Sequence, residues 1–182
     1  MYKRVENSIE LTMFNFIWMT AWREKGFEFE FSGEVLDRYL VITEDGQYAG
    51  SAEFKRYKPG ESEIDQIAPF YLHPTLNSPF TNVLEVDKVA LLPEFRGKYI
   101  GDLLSSIVYF ATRNGYDYLI SLLEPVFFRA LKITFHFPIE KFGDKIFYKG
   151  DYVQPAIIDV DKLMRKRDKL VWLNLGEGLV LK

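Results

Sequence analysis

Cysteine is absent from the 182 residues, which excludes disulfides, thiolate metal sites and a cysteine nucleophile. A reducing compartment fits that absence. Histidine is scarce: His73 and His136 stand far apart and lack local metal-ligand spacing, so no metal is expected. There is no basic excess. Lys and Arg number 23 against 26 Asp and Glu, a formal charge of −3, which weighs against a dedicated nucleic-acid binder. No apolar run approaches the ~20 residues that span a bilayer, so no membrane association is expected. No hydrophobic stretch follows the charges of Met1–Glu6, so no signal peptide is expected and the default is a soluble cytoplasmic protein. Repeats and linkers rich in Gly, Ser or Pro are also missing.

Apolar residues make up 48% and charged residues 27%, which excludes a disordered chain. The length suits a single domain, 1–182, with 161–182 as a C-terminal extension. Aromatics reach 16% and fit either a large-residue core or an apolar channel for an acyl chain or aromatic substrate.

Residues 8 to 25 read as a helix with Ser8 as N-cap, Gly26 as stop, and a buried stripe of Ile9, Met13, Phe16, Ile17 and Thr20. Trp18 and Trp22 lie partly off that stripe and either pack or cover a pocket. Tyr39–Thr43 and Gln47–Tyr57 form a hairpin through Asp45-Gly46. Residues 58–82, with four prolines, form an irregular excursion carrying one apolar piece, Ile67–Leu72. Val83–Leu92 is a strand ended by Pro93. A helix over 99–113 buries Ile100, Leu103, Leu104, Ile107, Val108 and Ala111 and stops at Asn114-Gly115. Tyr116–Leu123 is a strand, and a helix opens at Pro125 and runs to about Lys132. Lys145–Tyr148 and Gln154–Val160 form a last strand pair, followed by a charged helix over 161–169 and a tail with Gly176 and Gly178. The basic run Lys162–Lys169 reads as a solvated helix face. This order predicts an α/β (α+β) domain around one mixed sheet.

The chemistry concentrates in one strand–loop–helix, Leu84 to Gly101. A helix start leaves backbone N–H groups without internal partners and carries about half a positive charge. Arg96 and Lys98 add full charges, and Gly97 and Gly101 leave room for close approach. These features predict an anion site near 96–102, most simply a pyrophosphate. The alternative gives Gly97 to the turn and Gly101 to helix packing.

The run Arg96-Gly97-Lys98-Tyr99-Ile100-Gly101, preceded by Val89-Ala90-Leu91-Leu92-Pro93-Glu94-Phe95, resembles the GCN5-related N-acetyltransferase family. That family carries Arg/Gln-x-x-Gly-x-Gly/Ala; Tyr99 replaces its middle glycine here. The resemblance covers about residues 39–160. It implies an acyl-CoA N-acyltransferase fold, with a single mixed, mostly antiparallel central sheet flanked by helices. It implies acetyl-CoA or another acyl-CoA as donor and an amine as acceptor, and leaves a homodimer open. The pyrophosphate would meet the amides of Arg96, Gly97, Lys98, Tyr99, Ile100, Gly101 and Asp102. The pantetheine arm would meet the backbone of Val89, Ala90 and Leu91.

The acceptor amine needs a base, and Glu85 and Asp87 are the candidates. Unbroken strand alternation would place Glu85, Asp87, Val89 and Leu91 on one face, with the two carboxylates raising each other's pKa. Alternatively, Lys88 and these acids belong to a solvated strand end or a charge network. The family often protonates the leaving thiolate with a Tyr on the helix after its fifth strand, where this chain has Phe127 and Phe128. Water, Tyr148 or Tyr152 takes that role, or catalysis is impaired. Glu85–Val89, with Lys149–Val160, is also similar to the acyl-homoserine-lactone and N-acyl amino acid synthase branch. A non-catalytic acyl-CoA-binding module is a further alternative.

Overall fold

A computed structural model describes residues 1–176; Gly178 lies outside the described residues. Among the described residues, four α-helices, α1 Ser8–Lys25, α2 Ile100–Arg113, α3 Pro125–Ile133 and α4 Val160–Met164, accompany eight strands. These are β1 Tyr2–Arg4, β2 Asp37–Ile42, β3 Tyr48–Arg56, β4 Val83–Leu91, β5 Tyr118–Leu123, β6 Ile139–Lys141, β7 Ile146–Tyr148 and β8 Asp151–Asp159. The pairing order is β1-β2-β3-β4-β5-β8-β6, with β7 on β8. All strand pairs with a resolved register are antiparallel except β4–β5, which is parallel. The expected mixed, mostly antiparallel sheet is therefore present.

The chain divides into two compact units, and β4 contributes to both. The first holds 1–55, 86–110 and the described residues from 172. Its long helix α1 is capped by Asn7, one residue before the expected cap, because the Asn7 side chain accepts the Glu10 N–H at 2.9 Å. The buried face also differs from expectation: Ile9 and Phe16 are exposed, whereas Glu10, Phe14, Ile17 and Trp18 are buried. Spacings of four, three and one still make a helical stripe. An acid at one of its positions disguised it. Glu10 is tolerated inside because Lys3 Nζ lies 2.7 Å from one carboxylate oxygen and the Glu6 N–H donates to the other. Phe14, Ile17 and Trp18 then pack with Leu40, Ala90 and Leu92.

The second unit holds 56–85 and 111–171. Its core joins Tyr57, Ile64, Phe70, Leu76, Val83, Ile120 and Ile157. Short 3-10 turns, Glu63–Gln66 and Phe70–Leu72, interrupt the expected irregular excursion. Asp65 organises it, accepting hydrogen bonds from Tyr57 Oη (2.9 Å), the Gly60 N–H (2.7 Å) and the Tyr71 N–H (3.3 Å). Burial first, and then the hydrogen bond to Asp65, push the Tyr57 phenol well above its ordinary pKa. Asp65→Ala leaves three donors without their acceptor and is expected to cost about 1–3 kcal/mol. Urea unfolding checks the cost, and faster proteolytic nicking within 58–82 checks its location.

Strands β1 and β6 lie outside the sequence expectation. Each is three residues long and exists through antiparallel ladders, β1 on β2 and β6 on β8. The basic segment after β8 is shorter than expected, α4 followed by a 3-10 turn at Arg167–Lys169.

Candidate functional site

Of the residues singled out in the sequence, Asp87, Val89, Ala90, Leu91 and Arg96–Asp102 lie in the first unit, and Glu85 and Tyr148 lie in the second. Strand β4 ends as expected at Pro93, which opens a 3-10 turn, Pro93–Phe95. The chain then reverses at Gly97, where φ is 88°, a conformation that strains any residue carrying a Cβ. The Lys98 and Tyr99 N–H groups donate to Phe95 O, and the Leu103 N–H donates to Tyr99 O. Among the described residues, the N–H groups of Gly97, Ile100, Gly101 and Asp102 donate no hydrogen bond. They stand at the positive end of a fourteen-residue helix. Free amides at a helix start are, in general, suited to an anion.

The side chains around it are less available than expected. The Arg96 guanidinium is paired with Glu24, and its Nε donates to Leu91 O at 3.3 Å. Lys98 is exposed, with its ammonium 5.0 Å from the centre of the Tyr99 ring. The hydrogen bond to Tyr99 raises its pKa, so it stays cationic. Tyr99, which departs from the family pattern, is buried with its ring edge on Phe95. Its bulk is therefore directed into the core. Asp102 carries the amino group of Met1 at 2.9 Å.

Gly101 serves packing. A Cβ there would stand 3.3 Å from Trp172 O and 3.4 Å from Trp172 Cβ. Ser105 Oγ donates to Trp172 O (3.2 Å) and accepts the Asn174 N–H (3.0 Å), so residues 172–174 lie along the first turns of α2. A Cβ leaves a helix sideways whereas its first amides point along the axis. Gly101→Val is therefore expected to push the tail aside and cost about 1–3 kcal/mol. A lower denaturation midpoint, together with faster cleavage near Trp172, checks this.

The face expected along β4 is interrupted. Lys88 adopts φ 48°, so the alternation that would align Glu85 and Asp87 with Val89 and Leu91 does not run through it. Around it lies a charge cluster. Lys88 Nζ is 2.7 Å from Glu53 Oε1, 2.6 Å from Ser32 Oγ and 3.3 Å from Asp87 Oδ2. Arg38 Nε holds the other Glu53 oxygen at 2.7 Å, and Lys55 Nζ holds Asp87 at 2.7 Å. Glu53 and Lys88 are 0% and 3% exposed, so this is an internal network and not a solvated strand end. Sequence reasoning named Lys88 only as one option for such a network and missed Ser32, Arg38, Glu53 and Lys55. A lone Glu inside a strand carries no signal of a partner 35 residues away.

Mutual elevation of the two carboxylates does not hold for Asp87. Burial raises its pKa, but the ammonium groups of Lys55 and Lys88 and their hydrogen bonds outweigh it, and the net shift is downward. A carboxylate held low contributes stability above its ordinary pKa and loses it as pH falls through the lowered value. Asp87→Asn is therefore expected to flatten the acid limb of a stability–pH curve below about pH 4. Glu85 is buried, and its charge acts on the Tyr57 phenol. Tyr148 is half-buried at the end of the β7–β8 hairpin, with Lys149 Nζ 4.9 Å from its ring centre. Tyr152, the other alternative donor, is exposed with its ring on Phe147. Among the described residues, no group of His, Asp or Glu could hold a metal ion, and no helix is long and apolar enough to cross a membrane.

Neither a family model nor a curated protein sequence matches the chain. Solved structures do. FeeM, an N-acyl amino acid synthase from uncultured soil microbes, superposes with a TM-score of 0.74 at 13% identity, covering 89% of this chain and 91% of its own. BjaI, a CoA-dependent acyl-homoserine lactone synthase, gives 0.63 at 12% identity over 86% and 79%. The acyl-homoserine lactone synthase LasI gives 0.60 at 15% identity over 88% of each chain. The chain has the fold of these synthases.

Proposed function

We propose that the protein is an N-acyltransferase that moves an acyl group from an acyl-CoA thioester to an amine. The observation that carries this reading is the turn at 96–102, where four backbone amides without partners among the described residues meet the positive end of α2 beside the Lys98 cation. Such a turn suits a pyrophosphate. The fold supports the same reading, since one of its neighbours is a CoA-dependent synthase. Val89, Ala90 and Leu91 offer backbone to the pantetheine arm.

In the reaction the amine nitrogen attacks the thioester carbonyl, the N–C bond forms and the C–S bond breaks, and CoA leaves as its thiolate. A base takes the proton that the amine loses. Glu85 is the candidate base, because Asp87 is tied to two ammonium groups and held ionised. A donor held in place and an amine brought to it need no acyl-enzyme. The second reading, an N-acyl amino acid synthase with a longer acyl chain, is favoured by the likeness to FeeM over most of both chains.

Calorimetry with CoA and with pantetheine tests the donor site. CoA binds and pantetheine binds weakly if phosphate leads recognition; equal affinities contradict it. Thiol release from acetyl-CoA and octanoyl-CoA over a panel of amines and amino acids then separates transfer from mere binding and short chains from long. Glu85→Gln should lower turnover and leave CoA affinity unchanged.

A further inference from the structure

Lys88 is the residue of β4 whose backbone has a positive φ, 48°. A residue with a Cβ is disfavoured there and persists only where its surroundings hold it. Every polar group of Lys88 is held. Its N–H donates to Asp87 Oδ1 at 2.7 Å and its carbonyl accepts from Ser51 Oγ at 2.9 Å. Its ammonium, 2% exposed, meets the fully buried Glu53 at 2.7 Å and Ser32 Oγ at 2.6 Å, and lies 5.3 Å from the centre of the Trp18 ring. Removing a lysine ammonium from water is costly, and nothing in packing requires one at this position. The kink stands immediately before Val89–Leu91, the segment whose backbone the reading above gives to the donor.

We propose that Lys88 is a positioning residue: its ion pair with Glu53 locks the left-handed kink of β4, and the kink sets the direction in which Val89–Leu91 present their backbone to the pantetheine arm. This rests on the acyl-CoA reading. A purely packing role and a kink-holding role rank substitutions in opposite orders. With Glu53→Gln present to remove the buried charge, Lys88→Met fills the space but disfavours a positive φ, whereas Lys88→Gly leaves a gap but adopts the kink freely.

The test titrates both double variants and the unmodified chain with CoA and with adenosine 3′,5′-bisphosphate, the nucleotide half that lacks pantetheine. The Met double variant is expected to bind CoA at least about tenfold more weakly, and the bisphosphate within about twofold of the unmodified chain. The Gly double variant should keep CoA within about threefold despite its lower stability. CoA affinity in the Met variant equal to or above that of the Gly variant overturns the proposal, as does equal weakening of both probes. Should the Met variant not fold, Glu53→Asp reads the same trend by retracting the carboxylate by one methylene. It should weaken CoA at least about threefold and leave the bisphosphate unchanged; unchanged CoA affinity overturns the lock. If the unmodified chain binds neither probe, the acyl-CoA reading fails. A structure of the Met variant then decides the lock alone: extended backbone at 88 supports it and a retained positive φ overturns it.

Discussion

Glu53→Ala is expected to destabilise the protein by about 3–5 kcal/mol. Glu53 and the Lys88 ammonium are both out of contact with water, 2.7 Å apart. Deleting the carboxylate leaves the ammonium inside with Ser32 Oγ and a half-buried Asp87 that Lys55 already engages. It also removes the partner of Arg38, although Arg38 reaches the surface and recovers hydration. Neutralising the survivor should help: Lys88→Met added to Glu53→Ala is expected to regain about 1–3 kcal/mol of the loss. The pair Arg4–Asp37, whose arginine faces solvent, provides the contrast. Arg4 is 62% exposed at its side chain, and Arg4→Ala should cost under about 1 kcal/mol. Urea unfolding with an unchanged m-value measures all three. A Glu53→Ala loss no larger than the Arg4→Ala loss would mean that the internal network contributes nothing as a network.

Ile100→Pro is expected to weaken CoA binding about tenfold or more while leaving stability within about 1 kcal/mol. Ile100 is the first residue of α2, and its N–H has no partner among the described residues. Proline suits the first helical position because the hydrogen-bond donor it removes is unused by the helix. The substitution therefore deletes one proposed pyrophosphate contact and little else. A charge-assisted hydrogen bond to phosphate contributes about 1.5–3 kcal/mol, which sets the expected loss. The neighbouring Gly101→Val acts differently, through Trp172, and its effect should fall on stability first. Unfolding midpoints and CoA titrations on both variants separate the amides from the packing.

Legibility in the sequence followed the range of the interactions involved. The hairpin around Asp45-Gly46, the end of β4 before Pro93 and the opening of α3 at Pro125 rest on local backbone chemistry, and each was readable. So was the buried face of α2, where Leu103, Leu104, Ile107, Val108 and Ala111 are all inside and only Ile100 is half-buried. The face of α1 was not readable, because its stripe includes Glu10, which is stabilised by Lys3 from β1. β1 and β6 are too short to show a period and gain their structure from partners distant in the chain. In the candidate site, the amide turn at 96–102 was visible as a strand–loop–helix with glycine and charge. Two facts beside it were not. Gly101 faces Trp172, 71 positions away by number, and Lys88 faces Glu53. Both depend on the tertiary fold, and neither has a local motif.

The central claim is that the first turn of α2 holds the pyrophosphate of an acyl-CoA. A crystal structure of the protein grown with CoA tests it most directly. The account predicts phosphate oxygens within hydrogen-bond reach of the Gly97, Ile100, Gly101 and Asp102 amides, with the pantetheine arm alongside Val89–Leu91. CoA seated elsewhere, or a saturating concentration that leaves this turn empty, would contradict it.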